Sequence, residues 1–296
     1  LALVRQFVHD EGQEDEAEED EKNSKAALQA KQSTGEPLTP RVLGRVEQAL
    51  QRADLSNMVR RQFICGLIGQ AAPQPLFSEL FISIADLRET LMPGVNVTES
   101  PWLFQHLTES LDRRMLAMLS KSNDNSITGE ISINLNVSTL LSPEFMQFDD
   151  AVPASMRGSV VVELQKLDIF SDLNAFLFAS EFAKDRGYRI CIDGLTYETV
   201  AFVNREKLGA DMVKLIWDQE LVDTIGKAKA SEIVSDMGNS RIILCRCDTD
   251  GAIEFGQSIG ISMFQGRHIE NLIAEDARRR EMEMAKRRSQ NLDFID

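Results

Sequence analysis

At 296 residues, of which 43% are hydrophobic and 6% aromatic, the chain can bury a sizeable core and form one large barrel or two ordinary domains. It has no apolar run long enough to cross a membrane and no signal peptide, and it opens Leu-Ala-Leu, which points to a cytoplasmic protein or the cytoplasmic piece of a longer one. The formal charge of −15 is largely local: nine acidic residues lie between Asp10 and Glu21, the remainder carries −6, and such a balance argues against a nucleic-acid polymer as partner.

Residues 1–39 read as an acidic, disordered linker ending in the turn-like Gly35-Glu36-Pro37. Pro40–Asp54 has a helical period through Val42, Leu43, Val46 and Leu50, with proline placed to start it. Val59–Leu67 and Phe77–Ile84 read as neighbouring strands, and Leu87–Pro101 as irregular. Trp102–Ser120 is a long amphipathic helix. Then come four short apolar runs, Glu130–Leu135, Ser159–Leu164, Tyr188–Ile192 and Ala210–Ile216, each followed by a helix-like stretch. Leu173–Arg186, Glu198–Leu208 and Gln219–Met237 are predicted helices, and Arg241–Cys245, Ala252–Ser258 and Ser262–Phe264 close the pattern as strand, helix, strand. Residues 274–289 form a charged helix with opposite charges three and four apart, within a 274–296 tail.

Buried parallel strands alternating with helices predict an α/β fold, a single TIM-like (β/α) barrel over residues 40–273. In such a barrel, side chains near the carboxyl ends of strands converge on one mouth. Asn134, Glu163, Asp193 and Lys214, spaced by 29, 30 and 21 residues, sit at or near those ends. Each alone reads as a polar strand end, and Lys214 reads equally well as a counter-charge that pairs with Glu163 or Asp193 and removes any need for an ion. Cys65, Cys191, Cys245 and Cys247 form no Cys-x-x-Cys pair, and three lie in apolar runs, so they read as reduced thiols rather than zinc ligands. His9, His106 and His268 are scattered, and no nucleophile triad, P-loop or dinucleotide fingerprint occurs.

Taken in order, several short segments resemble the motifs of the EAL domain, the cyclic-di-GMP phosphodiesterase and receptor module of bacteria, a modified TIM-like barrel. Arg61-Gln62-Phe63-Ile64 is similar to its Gln-Pro-Ile strand, and Glu79-Leu80-Phe81 stands at the Glu-Ala-Leu signature. Ile133-Asn134-Leu135 is similar to Asn-Leu-Ser, and Val162-Glu163-Leu164-Gln165 to Glu-Leu-Thr-Glu. Asp193-Gly194-Leu195 stands for Asp-Asp-Phe-Gly, Lys214-Leu215-Ile216 for Lys-Ile-Asp, and Cys245-Arg246-Cys247-Asp248-Thr249 for Glu-Gly-Val-Glu-Thr. Gln265-Gly266-Arg267 matches the closing Gln-Gly-Tyr.

The resemblance implies a first Mg²⁺ or Mn²⁺ held by Glu79, Asn134, Glu163 and Asp193, and ligand contacts from Gln62, Gln265 and Asp248. It places Gly194 and Cys245 where the second ion needs an aspartate and a glutamate, and hard cations prefer oxygen to a thiol. Two-metal hydrolysis needs both ions, so Lys214 is expected to be vestigial and hydrolysis lost. Ser83 replaces a phosphate-binding arginine, which weakens cyclic-di-GMP binding by about 1.5–3 kcal/mol. Thr196-Tyr197-Glu198 replaces the glycine-rich loop that links the site to dimerisation. The expectation is a degenerate, catalytically inactive regulatory domain acting through a protein partner, with homodimerisation as a further expectation. The alternatives are a cyclic-di-GMP receptor without hydrolysis and a slow residual phosphodiesterase.

Overall fold

A computed structural model describes residues 35–52, 55–69, 71–121 and 129–292. The acidic stretch predicted as a linker therefore lies, up to residue 34, outside the described residues, as do residues 293–296 of the tail. The chain divides into two compact units, one formed by Leu1–Asp54 with Ser83–Ser110, the other by Leu55–Ile82 with Leu111–Asp296. Among the described residues, no helix is long and apolar enough to cross a membrane.

In the first unit, Pro40–Arg52 is helical and buries Leu43, Val46 and Leu50. Glu36–Pro37 pairs in parallel with Val95–Asn96. A helix, Ile84–Leu91, starts at the last residue of the predicted strand Phe77–Ile84 and runs into the segment expected to be irregular, Leu87–Pro101. Ser83 caps it by accepting from the Asp86 amide at 3.2 Å, and Leu87 is its buried anchor. One buried leucine in eight residues gives little periodicity to read, although Ser83-x-x-Asp86 is a helix-start signal.

The second unit is a closed barrel of eight strands: β1 Val59–Gly66, β2 Gln74–Ile82, β3 Ile131–Leu135, β4 Val160–Gln165, β5 Arg189–Leu195, β6 Met212–Ile216, β7 Ile242–Cys245 and β8 Met263–Phe264. Strands β2 to β8 run parallel, whereas β1 is antiparallel to both neighbours, β2 and β8. The α/β barrel expected from the sequence is thus present, in the modified form in which one strand is reversed. That reversal follows from the short connection between β1 and β2, which has no room for the crossover helix a parallel pair requires.

Outward-facing Ile133, Val162, Leu164, Ile190, Ile192, Val213, Leu215, Ile242 and Leu244 are buried in one core cluster with side chains of the surrounding helices, among them Phe176, Ala179, Ala183 and Ile253. Each large aliphatic residue so buried stabilises the fold by roughly 1.5–3 kcal/mol. Two predicted helices need correction. Glu198–Leu208 is helical only over Tyr197–Val200, because Asn204 accepts locally from the Lys207 amide at 2.9 Å and Arg205 bonds the carbonyls of Ala210 and Met237. Gln219–Met237 is two helices, parted at Gly226, whose φ of 78° ends the first. The charged terminal helix begins earlier than its charge pattern suggests, at Arg267, and Glu270 ties it to the barrel by accepting from the Phe63 amide at 2.6 Å.

Candidate functional site

Side chains alternate along a strand, so the barrel interior can be read by steps of two. Ile64, Phe77, Val161, Cys191, Met212, Ile243 and Met263 form an apolar cluster distinct from the outer core, and buried Ser132 stands at the corresponding place on β3. Two residues further along each parallel strand stand Glu79, Asn134, Glu163, Asp193, Lys214, Cys245 and Gln265; on reversed β1 the step runs backwards, to Gln62. One polar or thiol residue per strand therefore forms the layer above the apolar floor. Pairing holds them level, with Gln62 opposite Glu79 and Asn134 opposite Glu163.

The expected metal ligands and the lysine are brought together. Lys214 Nζ donates to Glu79 Oε2 and to Glu163 Oε2, both at 2.6 Å, and is only 3% exposed. Gln265 Nε2 donates to the same Glu79 oxygen at 2.6 Å and to Gln62 Oε1 at 3.1 Å. The Asn134 amide donates to Glu79 Oε1, and the Gln165 amide to Asp193 Oδ2. Asp193 Oδ1 accepts from the Gly194 amide at 2.7 Å. Glu163 Oε1 is buried and has no hydrogen-bond partner. Among the described residues, no three His, Cys, Asp or Glu side chains are disposed to hold a metal ion.

Three carboxylates sharing one ammonium away from water cannot all ionise at ordinary values. Burial, followed by the neighbouring Glu79 charge, pushes Glu163 up to about 8 even beside Lys214. Burial also raises Asp193. It pushes Glu79 in the same direction, but the Lys214 charge and three side-chain donors outweigh it and hold Glu79 below the usual glutamate range. Burial alone would lower Lys214; Glu163, Glu79 and Asp193 together hold it well above the lysine range. The Cys245 thiol is pushed up to about 12 by burial and Asp193, so it stays neutral, and its Sγ donates to the Leu215 carbonyl at 3.3 Å.

The mouth opens into a cavity of about 320 Å³ whose wall includes Gln62, Gln165, Gly194, Arg246, Asp248 and Arg267. Gly194 adopts a φ of 81°, and a Cβ there would lie 2.8 Å from Gln165 Oε1. Gly266 is needed for close approach, since a Cβ would fall 2.3 Å from the Cys247 carbonyl oxygen. Arg246, with a φ of 61°, is the one non-glycine left-handed residue among the described residues, and such outliers gather at functional sites. Asp248 accepts from the Arg267 amide and guanidinium, both at 3.0 Å, so it lies on the wall and fixes the start of the terminal helix. Ser83, which the resemblance sets at the place of a phosphate-binding arginine, is the helix cap described above. Sequence reasoning assigned no role to Arg246 or to the Gln165 amide. Their place in the mouth depends on backbone and rotamer angles that have no residue-type signature.

No protein-family model matches the sequence, and no curated protein sequence is similar to it. Solved structures do share its fold. The Vibrio cholerae LapD S helix-GGDEF-EAL structure in its apo form is 15% identical with a TM-score of 0.52, over 76% of this chain and 55% of that one. The same region bound to c-di-GMP gives 14% identity and a TM-score of 0.51, over 77% and 56% of the two chains. The Xanthomonas citri FimX EAL domain in complex with c-di-GMP is 11% identical with a TM-score of 0.50, over 76% of this chain and 90% of that one. This chain spans little more than half the length of the LapD chain, and the likeness is one of fold: the barrel is of the EAL type.

Proposed function

We propose that this chain is a non-hydrolytic EAL-type regulatory domain of cyclic-di-GMP signalling, with an output through protein contact. The observation that carries the first half is the chemistry at the two places a second cation would use. Gly194 has no side chain, and the space a side chain would enter is filled by the Gln165 amide. Cys245 is a neutral thiol turned to a backbone carbonyl. Neither is a hard oxygen donor, and no step of this reading passes through a divalent ion. The test is incubation with cyclic-di-GMP and Mg²⁺ or Mn²⁺, followed by chromatography for the linear dinucleotide. No product is expected; turnover approaching that of an active EAL phosphodiesterase overturns the reading.

A second reading, a receptor that binds without cleaving, is favoured by Arg246 and Arg267 on the cavity wall beside Gln62 and Gln265. The Arg246 guanidinium can supply a charge-assisted contact to a phosphodiester there, while that of Arg267 is shared with Asp248. Calorimetric titration separates the readings: no heat at high micromolar cyclic-di-GMP discards the receptor.

The surface proposed for protein contact is an apolar groove of about 540 Å³ lined by Leu167, Phe170, Leu195, Thr199, Phe202 and Val203. Phe202 is 88% exposed and Phe170 50%, which at 150–250 Å² per aromatic side chain leaves roughly 200–350 Å² of ring in water. That is a sizeable share of the roughly 800 Å² each partner of a stable interface buries. The occupant proposed is a second copy of this chain, because the exposed Leu167, Phe170 and Phe202 form one apolar patch that a two-fold axis would bury against itself. Sedimentation should show a dimer for the wild-type chain and a monomer for Phe202→Glu; a wild-type monomer at high micromolar concentration excludes this occupant.

A further inference from the structure

Each carboxylate that the EAL resemblance assigns to a divalent ion already has donors from the chain itself. Glu79 Oε1 accepts from Asn134, and Glu79 Oε2 from Lys214 and Gln265. Glu163 Oε2 accepts from Lys214, Asp193 Oδ1 from the Gly194 amide and Asp193 Oδ2 from Gln165. Five of the six oxygens are engaged, which leaves Glu163 Oε1. The ammonium stands 2.6 Å from an oxygen of each of two glutamates, in the gap a bridging cation would need. A divalent ion requires six or more oxygen ligands or waters and would enter that gap only by displacing the ammonium from both glutamate oxygens. The donor types suit Mg²⁺ or Mn²⁺; the arrangement does not.

We infer that the Lys214 ammonium is the resident cation of this mouth, and that the site keeps its shape, and takes whatever anionic ligand it takes, without a divalent metal. The inference concerns the site of the proposed function but fails separately from it: an ion bound without hydrolysis would refute this inference and leave the regulatory reading intact.

The experiment is titration of the apo chain with MnCl₂ by calorimetry, paired with thermal melts in EDTA and in millimolar Mn²⁺, for the wild type and for Lys214→Ala. For the wild type no saturable 1:1 binding and no Mn²⁺-dependent rise in melting temperature are expected. In Lys214→Ala the gap opens among three carboxylates, so the variant should be less stable in EDTA and regain stability as Mn²⁺ is added, with saturation at one ion per chain. If the variant folds only when Mn²⁺ is present, that outcome supports the inference in the same way. Saturable 1:1 Mn²⁺ binding by the wild type, abolished by Glu79→Gln, overturns it. So does a folded Lys214→Ala whose melting is indifferent to Mn²⁺. Should Lys214→Ala not fold in either buffer, Lys214→Gln takes its place, and the wild-type titration still decides.

Discussion

The EAL resemblance sets an aspartate and a glutamate where Gly194 and Cys245 stand, and the double variant Gly194→Asp with Cys245→Glu tests the proposal that this mouth does not serve as a two-cation centre. If only ligands were lost, the double variant should hydrolyse cyclic-di-GMP. The geometry predicts otherwise. Gly194 has a φ of 81°, where a side chain costs about 1–2 kcal/mol. Its Cβ would sit 2.8 Å from Gln165 Oε1, so the Gln165 amide, which donates to Asp193, must also leave. The new carboxylate would stand beside Asp193, in a cluster where three carboxylates already share one ammonium. At about 4 Å and an effective dielectric near 20, each like-charge contact costs up to ~4 kcal/mol. The double variant should therefore lose about 3–6 kcal/mol, a large share of a domain's 5–15 kcal/mol, and show no product. Urea denaturation gives the first quantity and chromatography the second. Adding Gln165→Ala clears the space and should return part of the stability, a coupling measurable as non-additivity. Cyclic-di-GMP turnover in the double variant with unchanged stability would refute this reasoning and favour a slow residual phosphodiesterase.

Three further outcomes follow from other parts of the barrel. Cys65 and Cys245 are both pushed up to about 12 by burial, so the unfolded chain releases these protons first. Stability is then full below about pH 9 and falls above it, by roughly 1.4 kcal/mol per pH unit for each thiol. Urea midpoints at pH 8, 9.5 and 10.5 should drop, less steeply in Cys65→Ala, whereas a flat profile contradicts the assignment. Gly266→Ala would set a Cβ 2.3 Å from the Cys247 oxygen and 2.4 Å from its nitrogen, both backbone atoms with little freedom. It should cost about 3 kcal/mol or more in a thermal melt, and a silent variant would show that the approach is not tight. Asp112 holds the turn after β3, accepting from the Asn136 amide at 2.6 Å, the Asn136 side chain at 2.7 Å and Thr139 at 3.0 Å. Asp112→Ala should cost about 2–4 kcal/mol, because one nearly buried carboxylate satisfies several donors; a loss under 1 kcal/mol would contradict that.

The strands were legible as short apolar runs each followed by a helix, and the mouth as polar residues near their carboxyl ends; the strict two-residue period that separates floor from mouth is read from the structure. Once Val161, Cys191, Met212, Ile243 and Met263 are taken as floor, the polar layer of Glu163, Asp193, Lys214, Cys245 and Gln265 follows by counting. The helices were less legible where side-chain hydrogen bonds to the backbone compete with periodicity, as at Asn204 and Arg205, or where a helix buries a single anchor, as at Leu87. The reversal of β1 rests on a loop length, and the left-handed turn at Arg246 on an angle any sequence pattern leaves open. The sequence put Lys214 beside the acidic cluster but left two uses for it, as a catalytic remnant or as a counter-charge.

That ambiguity bears on what the acidic residues mean. Glu79, Glu163 and Asp193 look like the remains of catalysis, and their presence could be taken as a sign that chemistry persists. The geometry removes that inference. Once carboxylates and an ammonium are buried together, deleting one partner leaves an uncompensated charge and costs about 3–5 kcal/mol. Lys214 is 3% exposed and pairs with Glu79, which its charge keeps ionised, so removing either falls under that penalty, whereas Glu163, pushed up to about 8, gives up a buried hydrogen bond. The cluster is therefore held in place by the stability of the barrel, whether or not a phosphodiester is ever cut. Gly194 and Cys245 lie outside the ion pair, and substitution there breaks no buried salt bridge. On the proposed reading, a mouth under these two constraints can carry Gly194 and Cys245 beside a carboxylate cluster that the stability of the barrel alone maintains.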